Sequence, residues 1–186
     1  RQDDRHFEAY VEKAGVADKI FDMTYNDEPV KAAPIDICDH RSASAFLEVC
    51  HQEFLDMGLD YWWNDGTTGL MDRTLGQLVG NRLFFNECQR DGKRGMNLAR
   101  YGGMGNHRYG LFFTGDTGTC WDILRLQVEF NIRAGHVGVS SVSHDMGGFF
   151  IATSKLKTNA EDQKILDPLL FKRWLQFGVF NPVLRF

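Results

Sequence analysis

Three times in this chain an apolar run ends on an aspartate flanked by turn-forming residues: YWWNDG over 61–66, LFFTGD over 111–116 and VSSVSHDMGG over 139–148. One such acid is an ordinary loop residue. Three of them, each delivered by a short β-like run, point to a sheet whose strands end on one functional edge. The segments between these runs carry helical spacing. Phe7, Tyr10, Val11 and Ala14 share a face within 1–19, and Phe46, Val49, Cys50 and Phe54 share another in a helix that Ser42 could cap and Gly58 would end. Further helices are expected over 72–87, over 122–133 with Ile123, Leu126, Val128 and Phe130 largely apolar, and over 168–177. Strands are expected over 34–39, 58–65, 95–101, 109–114, 137–143 and 178–185, with a turn-rich stretch at 21–34 and a surface loop at 154–163.

Strand and helix alternate without hairpin signals between them. That pattern argues for a parallel sheet of βα units. In such sheets ligands bind at the carboxyl ends of the strands, so Asp65, Asp116 and Asp145 should converge on one face. Gly102-Gly103-Met104-Gly105 is glycine-rich but is not GxGxxG, and no Walker sequence is present. A (β/α)8 TIM barrel is therefore favoured over a doubly wound nucleotide fold. Such a barrel normally takes about 250 residues, against 186 here. Residues 1–186 thus read as the later, C-terminal portion of one catalytic barrel, with no second domain in this chain.

Composition removes some partners. The formal net charge is −4 and no basic stretch tracks phosphates, which argues against nucleic acid and an anionic membrane surface as partners. No apolar run is long enough to span a bilayer. The four cysteines form no CxxC pair and read as buried free thiols. The N-terminal RQDDRHFEAY is no signal peptide, and location stays unassigned. The 15 phenylalanines suit a large core or a sugar pocket.

Two carboxylates at neighbouring strand ends equip a protein for glycoside hydrolysis: one attacks or activates water, the other protonates the leaving oxygen. The residues alone leave other uses open. An aspartate after a strand often caps the next helix. His144-Asp145 with Asp65 and Asp116 could instead hold a cation. His107 and His136 read as surface or packing residues. Arg100 could pair with an acid or anchor hydroxyls.

Taken together and in order, the motifs resemble glycoside hydrolase family 31, the α-glucosidase and α-xylosidase family. Trp63-Asn64-Asp65 is similar to its nucleophile motif, and Phe113-Thr114-Gly115-Asp116 with Trp121 to its acid/base motif. His144-Asp145-Met146-Gly147-Gly148-Phe149 resembles HDIGGF, Arg100 in NLARYGGMGNHRYG matches the family's arginine, and FGVFNPVLRF resembles the segment that ends its barrel. The resemblance implies a retaining exo-α-glycoside hydrolase with a covalent intermediate on Asp65 and Asp116 as acid, then base. Arg100, Asp145 and His144 would bind the terminal sugar, and Trp63 and Phe113 would wall its pocket. It implies no cofactor and no metal, an oligosaccharide or α-glycoside substrate, and the remainder of the barrel plus a β-sandwich domain as partners.

Asp65-Gly66-Thr67-Thr68 departs from the D-M-N-E of many α-glucosidases. That departure keeps α-N-acetylgalactosaminidase, α-galactosidase and α-xylosidase beside the α-glucosidase-like reading, and an α-transglycosylase on the same scaffold differs only in whether sugar or water enters the acceptor site. A non-catalytic carbohydrate-binding fragment is the reading of another class. The family's final histidine would fall just past Phe186.

Overall fold

The structure is a computed structural model that describes residues 1–65, 75–90, 92–150 and 167–186. The surface loop expected at 154–163 and the first three residues of the helix expected from 72 lie outside the described residues. The chain divides into two compact units, one of residues 1–97 with 101–109 and one of residues 98–100 with 110–186.

The first unit opens with α1 (Phe7–Ala14), which buries Tyr10, Val11 and Ala14 and ends on Gly15 in the left-handed conformation at φ 68°. The stretch read only as turn-rich contains a β-hairpin. β1 (Phe21–Tyr25) pairs antiparallel with β2 (Glu28–Ala32). Asn26 and Asp27 both take positive φ, 51° and 64°, as a two-residue hairpin loop of the I′ kind requires. Residues 34–39 make no strand; 37 and 38 form a turn.

The next helix starts earlier than expected, at α2 (His40–Phe46), and its cap is Asp39, whose carboxylate accepts the Ser42 N–H at 2.8 Å. The Ser42 hydroxyl is engaged elsewhere, by the Asp36 N–H and the Tyr10 hydroxyl. The helical run passes through a π turn at Leu47–His51 into α3 (Gln52–Asp56), and Gly58 follows at φ 96°. β3 (Trp62–Asn64) and α4 (Leu75–Glu87) complete the unit. Its core gathers Tyr10, Val11, Ala14, Val16 and Ala45.

The second unit is built on a parallel sheet. β4 (Asn97–Ala99), whose first residue belongs to the first unit, pairs with β5 (Leu111–Phe113). β5 pairs with β6 (Val142–Asp145), and β6 with β7 (Val183–Arg185). α5 (Trp121–His136) lies between β5 and β6 in the chain, and α6 (Pro168–Gly178) between β6 and β7. These are the βα units that the sequence pattern predicts. Asp167 caps α6, with Pro168 in its first turn.

The strands are shorter than expected, and β6 is displaced. α5 continues to His136 and Gly138 turns the chain at φ 83°, so 137–140 connects, and the ladder with β5 begins where the Ser141 carbonyl accepts the Phe112 N–H at 3.0 Å. The apolar residues of α5 divide between buried and exposed positions. Ile123, Leu124, Gln127 and Ala134 face inward, while Leu126, Val128 and Phe130 are exposed. Cys120, Ile123, Leu124, Met146, Leu170 and Trp174 form the core. All four cysteines are free thiols, but only Cys88 and Cys120 are buried; Cys50 is half-buried and Cys38 is exposed.

Candidate functional site

Within the second unit, four adjacent parallel strands end on charged or turn residues at the same edge. Arg100 follows β4, Asp116 lies three residues beyond β5, and Asp145 and Arg185 are the last residues of β6 and β7. The register places Asp145 directly opposite Arg185. Two arginine–aspartate pairs result. The Arg100 Nη2 donates to Asp116 Oδ1 at 2.7 Å, and Arg185 Nη2 pairs with Asp145 Oδ1. The two guanidinium carbons lie 5.0 Å from the Phe113 ring centroid in each case. Phe113 itself is buried. Its ring is thus a floor for two cations, worth roughly 0.5–2 kcal/mol per contact depending on desolvation.

Gly115 makes the Arg100–Asp116 approach possible. It sits at φ 75°, and a Cβ there would lie 3.2 Å from Arg100 Nη1. The loop carrying Asp116 is also tied to the loop after β6. Phe149 and Phe150 N–H both donate to Thr117 O, at 2.8 and 2.9 Å, and Thr119 N–H donates to Phe150 O at 2.7 Å. Gly148, at φ 94°, permits this contact: a Cβ would meet the Gly118 carbonyl at 2.8 Å. Phe149 and Phe150 project as exposed rings packed edge to face.

Electrostatically the two aspartates are not alike. Burial pushes the Asp145 carboxyl upward, and the Arg185 guanidinium partly offsets that push. Asp116 is more open, its side chain 28% exposed against 8% for Asp145.

His144 resembles a support more than an open ligand. It is fully buried, with Thr114 Oγ1 2.9 Å from Nδ1 and Asn131 Oδ1 3.0 Å from Nε2. The Asn131 amide nitrogen donates to Asn181 Oδ1, so its oxygen faces the ring. Nε2 therefore carries the proton, and Nδ1 accepts from the Thr114 hydroxyl. Burial, then the Arg185 charge, pushes its pKa down to about 4, which agrees with a neutral ring. Both ring nitrogens of His144 are thus engaged by protein groups at the sheet edge.

In the first unit, β3 alternates as a strand must. Trp62 and Asn64 turn to one side, where Trp62 Nε1 donates to Glu87 Oε2 at 2.9 Å and Asn64 Nδ2 to Asn81 Oδ1 at 2.6 Å. Trp63 takes the other side, as does Asp65 by continuation of the same alternation, and both are exposed. His107 and His136 are exposed, as a surface reading expects. Among the described residues no three His, Cys, Asp or Glu side chains gather where a metal ion could sit.

The sequence reading did not include Arg185, Thr114 and Asn131 among the site residues. Arg185 had a signal, its place in the closing segment FGVFNPVLRF. Thr114 and Asn131 had none, because their role comes from what they touch.

A family model described as the glycosyl hydrolases family 31 TIM-barrel domain matches residues 2–186. The chain is 34% identical over 99 residues to neutral alpha-glucosidase AB of Homo sapiens, covering 52% of this chain and 9% of that protein. It is 33% identical over 149 residues to a probable glucan 1,3-alpha-glucosidase of Oryza sativa subsp. japonica, covering 78% and 13%. Among solved structures, a cycloalternan-degrading enzyme from Trueperella pyogenes superposes with a TM-score of 0.71 at 17% identity, over 97% of this chain and 26% of that one. The chain thus spans about a tenth of the length of these curated relatives and about a quarter of that structural neighbour.

Proposed function

The chain belongs to family 31 of the glycosyl hydrolases, within its TIM-barrel domain, and from that premise we propose that the complete protein is a retaining exo-α-glycoside hydrolase. The observation that carries the reading is the pair of arginine–aspartate couples, Arg100–Asp116 and Arg185–Asp145, set on adjacent strand ends over Phe113. That edge is where a parallel barrel places its chemistry.

In the first step the Asp65 carboxylate attacks the anomeric carbon. The glycosidic C–O bond breaks, and its electron pair takes the Asp116 proton to form the leaving alcohol. In the second step Asp116 accepts a proton from water, whose oxygen joins the anomeric carbon as the bond to Asp65 breaks. Two inversions leave the product with the configuration of the substrate. Arg100 holds Asp116 by a charge-assisted bond. Asp145, steadied by Arg185, is suited to accept hydroxyl protons of the terminal sugar. His144 supports Asp145 from below, and Trp63 and Phe113 are each assigned as an aromatic contact of the sugar in the complete protein. The substrate is an oligosaccharide or α-glycoside, with glucosides first and N-acetylgalactosaminides, galactosides and xylosides as alternatives. The remainder of the barrel and a β-sandwich domain complete the working protein.

The test uses the complete protein on a panel of 4-nitrophenyl α-glycosides. Asp65→Asn should abolish turnover, Asp116→Asn should depress it less for this good leaving group, and NMR should show the α-anomer forming first. Near-wild-type rates in either variant remove that residue from its role. A β-anomer formed first refutes retention, and a panel without turnover favours a binding module.

A further inference from the structure

We propose that α4 clamps the strand that presents Asp65 and that Asn81 is the positioning residue of the clamp, acting on Asp65 through Asn64. The inference rests on the reading of Asp65 as nucleophile. β3 and α4 meet at two polar contacts: Trp62 to Glu87 at 2.9 Å and Asn64 to Asn81 at 2.6 Å. The partners run in opposite chain order, as in a βα unit whose helix returns along its strand. Two contacts spaced along a strand define its register as well as its distance. A shift by one residue would put Asp65 on the helix side.

Asn81 is the centre of a buried amide network. It is 0% exposed. Its Oδ1 accepts from Asn64 at 2.6 Å and from Asn97 at 3.2 Å, and its Nδ2 donates to Tyr101 O at 2.6 Å and to Asn106 Oδ1 at 2.9 Å. A carboxamide has two acceptor and two donor sites, and all four are used. Asn106, 1% exposed, also donates to Tyr101 O at 3.1 Å. Gly102 lets this happen, because a Cβ there would lie 2.1 Å from Asn106 Nδ2. The network therefore joins the residue before Asp65 to the residue after Arg100.

Burying so many amides gains little net stability over an apolar filling of equal volume. What a carboxamide with all four of its sites used supplies is orientation. Asn64 can turn its side chain to one place only, and the next residue, Asp65, inherits the backbone direction. The helix is built for close contact on this side: Gly76, Gln77, Gly80, Asn81, Phe84 and Glu87 are its buried residues. The Glu87 end is braced by His51, whose Nδ1 lies 2.8 Å from Glu87 Oε2 and whose ring stacks 4.1 Å from Trp62.

The test is a double-mutant cycle of Asn64→Ala and Asn81→Ala in the complete protein, with turnover per active site counted by trapping the glycosyl-enzyme with a fluorinated sugar. Each single variant should lose ~10- to 100-fold in kcat, the cost of misplacing a reacting group by a fraction of an ångström to an ångström. KM should stay within about threefold, because ground-state binding is untouched. The double variant should be no slower than the slower single one. Ser42→Ala, a buried hydroxyl far along the chain, serves as the control for destabilisation: its melting temperature falls with kcat per trapped site unchanged. Wild-type kcat per site in Asn81→Ala, or losses that multiply, would overturn the clamp. If Asn81→Ala does not fold, Asn64→Ala decides: its unchanged kcat overturns the clamp. An Asp65→Asn enzyme that still turns over defeats the nucleophile reading, and the clamp with it. An inactive Asp65→Asn beside a normal Asn81→Ala defeats the clamp alone.

Discussion

Acid should weaken this domain through one residue, His144, in a way that can be isolated. Its pKa in the folded chain is pushed down from 6.5 to about 4, by burial first and then by the Arg185 charge. Between those values the unfolded chain takes up a proton that the folded chain refuses. Stability therefore rises with pH from about 4 to 6.5 and is lost as pH falls through that window. At about 1.36 kcal/mol per pH unit the full effect is roughly 3 kcal/mol. Asp145 works in the opposite sense, since burial raises its carboxyl above the ordinary value: what it contributes is present at low pH and lost as pH rises through its folded pKa.

The two effects separate in a comparison with His144→Gln, which keeps a donor for Asn131 and an acceptor for Thr114 without titrating. Urea unfolding of both proteins from pH 7.5 to 4.5 should show the wild-type advantage shrinking by ~2–3 kcal/mol. Curves that stay parallel to within about 0.5 kcal/mol would refute the account of a neutral, proton-refusing His144.

Other consequences can be read the same way. Gly148→Ala forces a non-glycine residue to φ 94° and a Cβ against the Gly118 carbonyl at 2.8 Å, so it should cost at least ~2 kcal/mol and lower the melting temperature by several degrees. Arg185→Lys keeps the charge but loses the planar contact with Phe113; KM for the best glycoside should rise about tenfold with a smaller change in kcat. Alkylation of the native protein followed by peptide mapping should mark Cys38 first, because Cys88 and Cys120 are buried and burial pushes Cys50 up to about 11. A crystal structure of the complete protein should place the Asp65 and Asp116 carboxyl groups about 5–5.5 Å apart; a gap of roughly 6.5–9.5 Å would point to inversion instead.

The strand-then-acid pattern was legible because it is local. An apolar run, a turn residue and a carboxylate in sequence locate β3, β5 and β6 to within a few residues. The hairpin at Phe21–Ala32 was overlooked because its turn is Asn26-Asp27 with no glycine, although both residue types tolerate positive φ. The π turn at Leu47–His51 left no sign in the 3.6-residue spacing. The apolar residues of α5 lie on several sides of the helix, so spacing alone does not say which of them packing buries. Arg185, Asn131 and Asn81 depend on contacts between residues far apart in the chain, which periodicity does not report.

One device recurs behind two of the acids. In a strand the residue before an inward-facing acid points to the helix layer, and in both cases an asparagine from a neighbouring helix takes hold of it. Asn81 of α4 accepts from Asn64, next to Asp65, and Asn131 of α5 accepts from His144, next to Asp145. An asparagine suits this place because its carboxamide donates and accepts at once without bringing a charge into the core. Asp116 has no such neighbour to grip: Gly115 precedes it, and Arg100 holds the carboxylate directly. Asp65 and Asp145 thus each follow a gripped neighbour, while Asp116 and Asp145 are held by an arginine at the carboxylate itself. Loosening an asparagine should blur geometry while leaving charge intact, whereas loosening Arg100 should change the charge environment of Asp116 itself. Kinetics can tell these apart: the asparagine variants should lose kcat to a similar degree on good and poor leaving groups, and Arg100→Gln should lose most on poor leaving groups, which need a well-placed acid.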